Sequence, residues 1–338
     1  MMNHKKMSTD KREALKSKIF RISSNREFED LAWEIFCFQS QKNRIYKHYI
    51  DLLGINPRGI TSLEDIPCLP VSFFKTQKIV TSHDPVKMVF KSSSTDYGVP
   101  SSHYLTDINL YKTSFLKCFN LFYGEPGDYC IIALLPSYLE RGDSSLVYMA
   151  GKLITDSRHP QSGFYLDDLN KLGSTLKKLE SENQRILLLG VSFALIDLAE
   201  KQNLKLKNTI IMETGGMKGR RKEIIREELH SILKSGLGLE KIHSEYGMTE
   251  LLSQAYSKSE GKFSSPPWMK IMIRDLYDPF TCIETGRSGG VNIIDLANID
   301  SCAFLETADI GKNLPCGKFE ILGRFDNSEI RGCNLLID

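Results

Sequence analysis

Residues 185–214 read RILLLGVSFALIDLAEKQNLKLKNTIIMET. An apolar run of strand length passes directly into an amphipathic helical pattern, SFALIDLAEKQ, and a second apolar run, NTIIMET, follows a polar turn. Strand, helix and strand at this spacing predict an α/β sheet with helices on both faces. The alternation extends in both directions. Upstream lie DYCIIALLPS, SLVYMAGKLI and LDDLNKLGSTLKKLE, and downstream KEIIREELHSILKSG supplies another helix. Beyond it the character changes: WMKIMIRD, GGVNIID, CAFLETADIG and GKFEILGR are short strands separated by Gly, Pro, Asn and Asp turns, without a long helix.

The first part of the chain reads as helical. REALKSKIF and REFEDLAWEIFCFQSQKNRIYKHYIDLLG carry helical periodicity, the latter read as one helix closed by Gly54. KMVFKSSSTDYGVPSSHYLT reads as strand, Ser/Thr/Gly-rich loop and strand. Thr106 or Asp107 then caps a helix whose Ile108, Tyr111, Phe115, Phe119 and Phe122 share one face. The expected division is a helical part over 1–84, an α/β part over 85–262, a β-rich part over 263–324, and a short C-terminal arm over 325–338.

Composition narrows the function. The chain has 338 residues, 41% hydrophobic and 25% charged, which suits a folded protein with a large core. Its net charge is +2 with basic residues scattered, so no footprint for nucleic acid is expected. No apolar run approaches the roughly 20 residues needed to span a bilayer, and MMNHKKMSTDKR is followed by no apolar targeting segment. The expectation is a cytoplasmic protein. Eight cysteines without a CxxC pair or histidines at ligand spacing argue against structural zinc. Most lie in apolar stretches such as EIFCF, FLKCFNLF and YCIIALL, where a reduced thiol acts as a small hydrophobe. Cys333, near the end of the sequence, is the exception by position.

Three stretches carry candidate chemistry. FKSSSTDYGVPSSH offers consecutive backbone N–H groups and the hydroxyls of Ser92, Ser93, Ser94 and Thr95, with Gly98 and Pro100 shaping the turn, and such a loop can wrap phosphate oxygens. It is not a Walker A loop, since it lacks GK[ST], and a polar hairpin loop is the plain alternative. HSEYGMTELLSQAYS sets Glu250 four residues after Tyr246 with Thr249 adjacent. That carboxylate is of the kind that holds Mg²⁺ beside substrate phosphates, or else belongs to a surface turn. Asp309 in LETADIGK and Arg324 in ILGRFDN, if brought together, would suit ribose hydroxyls and a phosphate.

In this order, a Ser/Thr loop with a downstream Gly-x-Pro, then YGMTE, then T-x-D-x-G, then GR-x-D resembles the adenylate-forming superfamily of acyl- and aryl-CoA ligases, adenylation domains and luciferases. The resemblance runs from about residue 85 to 335. PPWMKIMIRD, GGVNIIDLANIDSCAFLETADIG and SEIRGC look most like the acyl-protein synthetases (LuxE-type) of bacterial luminescence, themselves similar to phenylacetate-CoA ligases. The implied fold is the large N-terminal domain of that superfamily: sheets flanked by helices plus a smaller β-rich, barrel-like subregion, without the full C-terminal lid.

The resemblance also implies roles. The loop from Ser92 to Gly98 would hold the phosphates of ATP, and Gly215 and Gly216 would form a wall on the nucleotide side. Glu250 would be the Mg²⁺ carboxylate with Thr249 beside the α-phosphate, and Tyr246 and Gly247 would lie against the adenine or acyl site. Asp309 would take the ribose hydroxyls, assisted by Arg324. The acyl acceptor would be Cys333, from which an acyl-CoA-reductase-like (LuxC-type) partner takes the acyl group. The loop departs from the usual SSGTTG-x-PK in three places: Ser94 replaces a glycine, Asp96 adds a negative charge, and the lysine is absent.

The function so implied is ATP-dependent activation of a carboxylic, fatty acid as acyl-AMP, then transfer to a cysteine. An external thiol, of coenzyme A or a carrier protein, is an alternative acceptor. Two rivals belong to other classes. LLLGVSFALIDLAE holds G-x-S-x-A at a strand-to-helix junction, close to a hydrolase nucleophile elbow, with Ser192 as nucleophile and His230 or His243 as base. The altered phosphate loop also allows a non-catalytic acyl- or nucleotide-binding protein. At the end of the chain, Arg331 two residues before Cys333 would favour the thiolate, and Gly332 gives an arm its bend.

Overall fold

The computed structural model describes residues 2–82, 84–93, 99–136, 142–166, 168–215, 221 and 224–325. The chain opens with helices α1 (Met2–Ile19), α2 (Asn25–Lys42) and α3 (Arg44–Leu52), then strand β1 (Leu69–Pro70) and the short helix α4 (Phe73–Thr76). Strands β2 (Met88–Lys91) and β3 (Ser102–Leu105) pair antiparallel as a separate hairpin, from Met88 opposite Leu105 to Lys91 opposite Ser102. The alternating part follows: α5 (Ile108–Tyr123), β4 (Cys130–Leu134), α6 (Ser145–Ser157), β5 (Gly163–Phe164), α7 (Leu169–Ser181), β6 (Ile186–Val191), α8 (Ser192–Lys201), β7 (Thr209–Thr214) and α9 (Arg226–Leu237). The described chain closes with β8 (His243–Tyr246), β9 (Ala255–Ser257), β10 (Phe263–Ser264), β11 (Met269–Arg274), β12 (Ser288–Asp295), β13 (Phe304–Asn313) and β14 (Phe319–Arg324).

Among the described residues, twelve strands form one sheet in the order β11-β12-β13-β14-β10-β9-β8-β7-β6-β4-β5, with β1 beside the start of β13. From β5 to β8 all pairings are parallel, and from β8 to β11 all are antiparallel. The 185–214 stretch is the centre of the parallel half. Every residue of β4 and β6 is buried, because helices cover both faces of that part of the sheet. The expected α/β architecture and the β-rich last third are therefore both present, and β8 joins them in one sheet.

Asp107 is the cap of α5, its carboxylate accepting from the Asn109 N–H at 3.0 Å. Tyr111, Phe115 and Phe119 are buried on the face that the spacing selects, while Ile108 and Phe122 pack at its margin. Two expectations are corrected. The stretch closed by Gly54 is two helices and not one: Asn43 breaks it with an extended backbone, and its Oδ1 caps α3 by accepting from the N–H groups of Ile45 and Tyr46. Cys37, read as part of an apolar stretch, is exposed on α2, and Cys316 is exposed too, whereas Cys68, Cys118, Cys130 and Cys302 are buried.

The broken helix has a reason. Asn43 Nδ2 donates to the carbonyl of Ser301 at 2.6 Å, and Gln39 Nε2 donates to the carbonyls of Asn298 and Ile299 at 3.0 and 2.9 Å. Both side chains grip the turn at Leu296–Asp300, which joins β12 to β13. From α1, Arg12 lays a two-pronged guanidinium on Asp300, with both contacts at 2.6 Å, and Lys16 approaches the same carboxylate at 2.9 Å. The N-terminal helices are thus fastened to one turn of the β-rich half by buried polar groups, each partner satisfied by another.

The glycine pair at the start of β12 is a packing requirement. A Cβ on Gly289 would lie 2.1 Å from the carbonyl oxygen of Arg274 on the adjoining strand. Gly289→Ala is expected to lower stability by about 1–3 kcal/mol, measured as a lower denaturant midpoint with an unchanged slope. An unchanged midpoint would contradict the close approach.

Candidate active site

The parallel strands β7 and β8 end side by side, Thr214 opposite Glu245, so Gly215 and Tyr246 emerge together at their carboxyl ends. That edge of an open α/β sheet is where ligands bind. Tyr246 donates its hydroxyl to Asp309 Oδ2 at 2.6 Å, and Arg324 Nε stands 3.3 Å from Asp309 Oδ1. Asp309 and Arg324 are opposed on β13 and β14, so the sheet register brings the two motifs together. The Tyr246 ring is set by edge contacts to Phe263 and Phe319. Burial pushes the Asp309 carboxyl up, opposed by the Tyr246 hydrogen bond and the charge of Arg324.

Glu250 lies four residues past Tyr246, is buried, and feels the charges of both Arg324 and Asp309. Burial pushes its carboxyl up, and a hydrogen bond to the side chain of Ser101 opposes that shift. Ser101 leads into β3, and its N–H donates to Ser92 Oγ at 2.9 Å, while the Ser92 N–H donates to the Ser101 carbonyl at 3.0 Å. Ser92 and Ser101 therefore close the neck of the serine-rich loop, and the neck touches Glu250. Ser93 is described with them; Ser94, Thr95 and Gly98 lie outside the described residues, as do Gly216 and Cys333.

The segment 246–253 is held from behind. Asn298 Nδ2 donates to the Glu250 carbonyl at 2.9 Å. Asp295 accepts from the N–H groups of Leu252 and Ser253 at 2.9 and 3.0 Å and from the Ser253 hydroxyl at 2.6 Å. His103 Nδ1 meets the carbonyl of Thr249 at 2.8 Å. A Cβ on Gly247 would stand 2.5 Å from Oε1 of the buried Glu245, whose side chain would have to shift; burial pushes that carboxyl up to about 7. His103, Asp295 and Asn298 were not read as site residues. DLANID signals an Asx turn, but nothing local says which segment its side chains reach.

The hydrolase elbow dissolves in the structure. Ser192 begins α8, but its hydroxyl donates to the carbonyl of Gly215 at 2.7 Å. His230 faces Glu213 and Ser244, and His243 faces Tyr123. The serine fixes a glycine with φ +63° at the end of β7 and does not meet a base.

Among the described residues no three His, Cys, Asp or Glu side chains gather as a metal cage. A lone carboxylate is nevertheless what Mg²⁺ takes from a protein when substrate phosphates and water complete its octahedron. Glu250 fits that role, since a cation would relieve a carboxylate that burial disfavours. Among the described residues, no helix is long and apolar enough to cross a membrane.

Comparison with known proteins bears on the fold and on the sequence as a whole. No protein-family profile matches the chain. The ATP-bound MatB of Rhodopseudomonas palustris superposes with a TM-score of 0.55 at 16% identity over 72% of this chain, which spans about half of that protein (49%). A 2-hydroxyisobutyryl-CoA ligase in complex with its acyl-AMP and CoA gives a TM-score of 0.66 at 14% identity, covering 90% of this chain and 72% of that one. The chain therefore shares the fold of the matched parts of these two ligases. In sequence it is similar to the long-chain-fatty-acid–luciferin-component ligase of Vibrio harveyi, 23% identical over 325 residues, 88% of this chain and 84% of the relative. The resemblance read from the motifs is borne out at both levels.

Proposed function

We propose that the protein is an AMP-forming ligase that activates a fatty acid and passes the acyl group to a thiol. The observation that carries this reading is the Tyr246–Asp309–Arg324 cluster beside Glu250, assembled at the carboxyl ends of parallel strands from three separate motifs. Each Asp309 oxygen already has one contact. A carboxylate accepts about four hydrogen bonds, which leaves room for the two hydroxyls of a ribose. Gly215, held by Ser192, and Gly216 would flank the base; Ser92 to Gly98 would face the phosphates with backbone N–H groups.

In the first step a carboxylate oxygen of the acid bonds to the α-phosphorus of ATP, and the bond to the bridging oxygen breaks, releasing pyrophosphate. Positioning and charge stabilisation dominate such a step. Arg324, largely exposed beside Asp309, would meet the α-phosphate side of the nucleotide, with Thr249 adjacent. Mg²⁺, held by Glu250, would supply charge neutralisation on the phosphates when bound. In the second step a thiolate attacks the acyl carbon and AMP leaves with the electrons of the broken C–O bond. The thiol we assign is Cys333, with Arg331 favouring its ionised form, and a LuxC-type acyl reductase is the protein that would take the acyl group onward.

The test uses radiolabelled fatty acid and ATP. Fatty-acid-dependent exchange of label between pyrophosphate and ATP is expected, together with a hydroxylamine-sensitive label on the protein. Cys333→Ser should keep the exchange and lose the protein label. A serine variant that still acquires the label excludes Cys333, and exchange that ignores fatty acid excludes the adenylation.

A further inference from the structure

The chain carries a buried histidine to which the adenylation steps above assign no part. His103 lies on β3 with no measurable exposure, its ring edge-on to Phe74 at 5.5 Å between centroids. A carbonyl oxygen only accepts, so the 2.8 Å contact between Nδ1 and the Thr249 carbonyl places the ring proton on Nδ1. Nε2 is then a bare acceptor, and it has no partner among the described residues. Burial pushes the imidazole down to about 4, so it is neutral near pH 7.

The bond joins two pieces of chain that are distant in sequence. β3 is half of a two-stranded hairpin separate from the large sheet, and Thr249 is 146 residues away in the turn that presents Glu250. The hairpin also delivers Ser101 to the Glu250 carboxyl. Two contacts of opposite kind result: Ser101 holds the carboxyl, and His103 holds the backbone one residue before it. The Phe74 contact needs only an apolar surface, whereas the contact to Thr249 needs a directed N–H.

We infer that His103 is a positioning residue: its Nδ1–H clamps the Thr249 carbonyl and so fixes the Thr249–Glu250 turn against the β2–β3 hairpin, setting the carboxyl of Glu250 where the nucleotide's phosphates must lie. The assignment rests on the adenylation reading for its catalytic consequence, but its structural content does not. Asparagine can place an amide N–H where Nδ1 stands; leucine keeps bulk without a donor.

His103→Leu and His103→Asn separate the two contributions. Fatty-acid-dependent ATP–pyrophosphate exchange is expected to fall about tenfold in turnover in the leucine variant, with little change in the KM for fatty acid. The asparagine variant should recover to within about threefold of the parent. Amide hydrogen exchange of a peptide covering 247–252 should quicken in the leucine variant and not in the asparagine variant. Equal exchange of that peptide in all three proteins overturns the clamp, as does asparagine failing alongside leucine. If the parent shows no fatty-acid-dependent turnover, the adenylation reading fails by itself, and the peptide measurement still decides the clamp.

Discussion

Glu250→Ala is expected to lower fatty-acid-dependent ATP–pyrophosphate exchange about a hundredfold. The expectation rests on position and not on charge alone. Glu250 is buried between the neck of the serine-rich loop and the Asp309–Arg324 pair, where one carboxylate can reach a cation bridging phosphates. Burial raises the cost of its ionised form, and the protein nevertheless keeps a carboxyl there. Glu250→Gln retains a partner for Ser101 without the charge, so it should be nearly as inactive as the alanine variant while melting like the parent. Wild-type exchange in either variant would remove Glu250 from the phosphate site.

Asp300→Ala should destabilise the fold by about 3 kcal/mol, because it takes the buried carboxylate from Arg12 and Lys16 and leaves them only the more exposed Asp84 and Asp107. Arg12 and Lys16 both end on this carboxylate, and Arg12 also reaches Asp84. Burial by itself would raise the Asp300 carboxyl, but the hydrogen bonds and charges of Arg12 and Lys16 hold it below the usual range. The sign follows from linkage: a carboxyl lowered by folding contributes stability above its unfolded value, roughly pH 3.9, and loses it as the pH falls through the folded value. Denaturant midpoints of parent and variant should therefore differ most near neutrality and converge below about pH 4. A constant gap across that range would show that Asp300 acts through packing and not through its charge.

Much of this was legible before any coordinates. The apolar runs of β4, β6 and β7 are buried on both faces, so they carry an unmistakable signal, and the turn-bounded strands β11 to β14 obey period and punctuation. Asp309, Arg324 and Tyr246 stand out in the sequence because each sits in a motif of fixed local form, and the sheet register then brings the three together. The failures share a cause. Asn43 looked like one polar residue in a long helical pattern because its reasons for breaking the helix, the carbonyl of Ser301 and the hydroxyl of Thr81, are distant in sequence. Ser192 was open to a nucleophile reading as a rival only, because a strand-to-helix serine has the same local form whether it faces a base or, as here, a carbonyl. His103, Asp295 and Asn298 act on a segment that lies elsewhere in the chain, and one sequence holds no record of that pairing.

The grip of α1 and α2 on the Leu296–Asp300 turn bears on the order of events at the ribosome. Arg12 and Asp300 are 288 residues apart, and Gln39 and Asn298 are 259 apart. At roughly 5–20 residues per second, a nascent chain makes Arg12 about 15–60 s before its partner exists. Throughout that interval the apolar faces of the first helices have no turn to close on. Helices α1 and α2 thus wait for a turn made much later, and a chaperone that shields residues 11–50 during synthesis should raise the yield of folded protein more than one supplied after release.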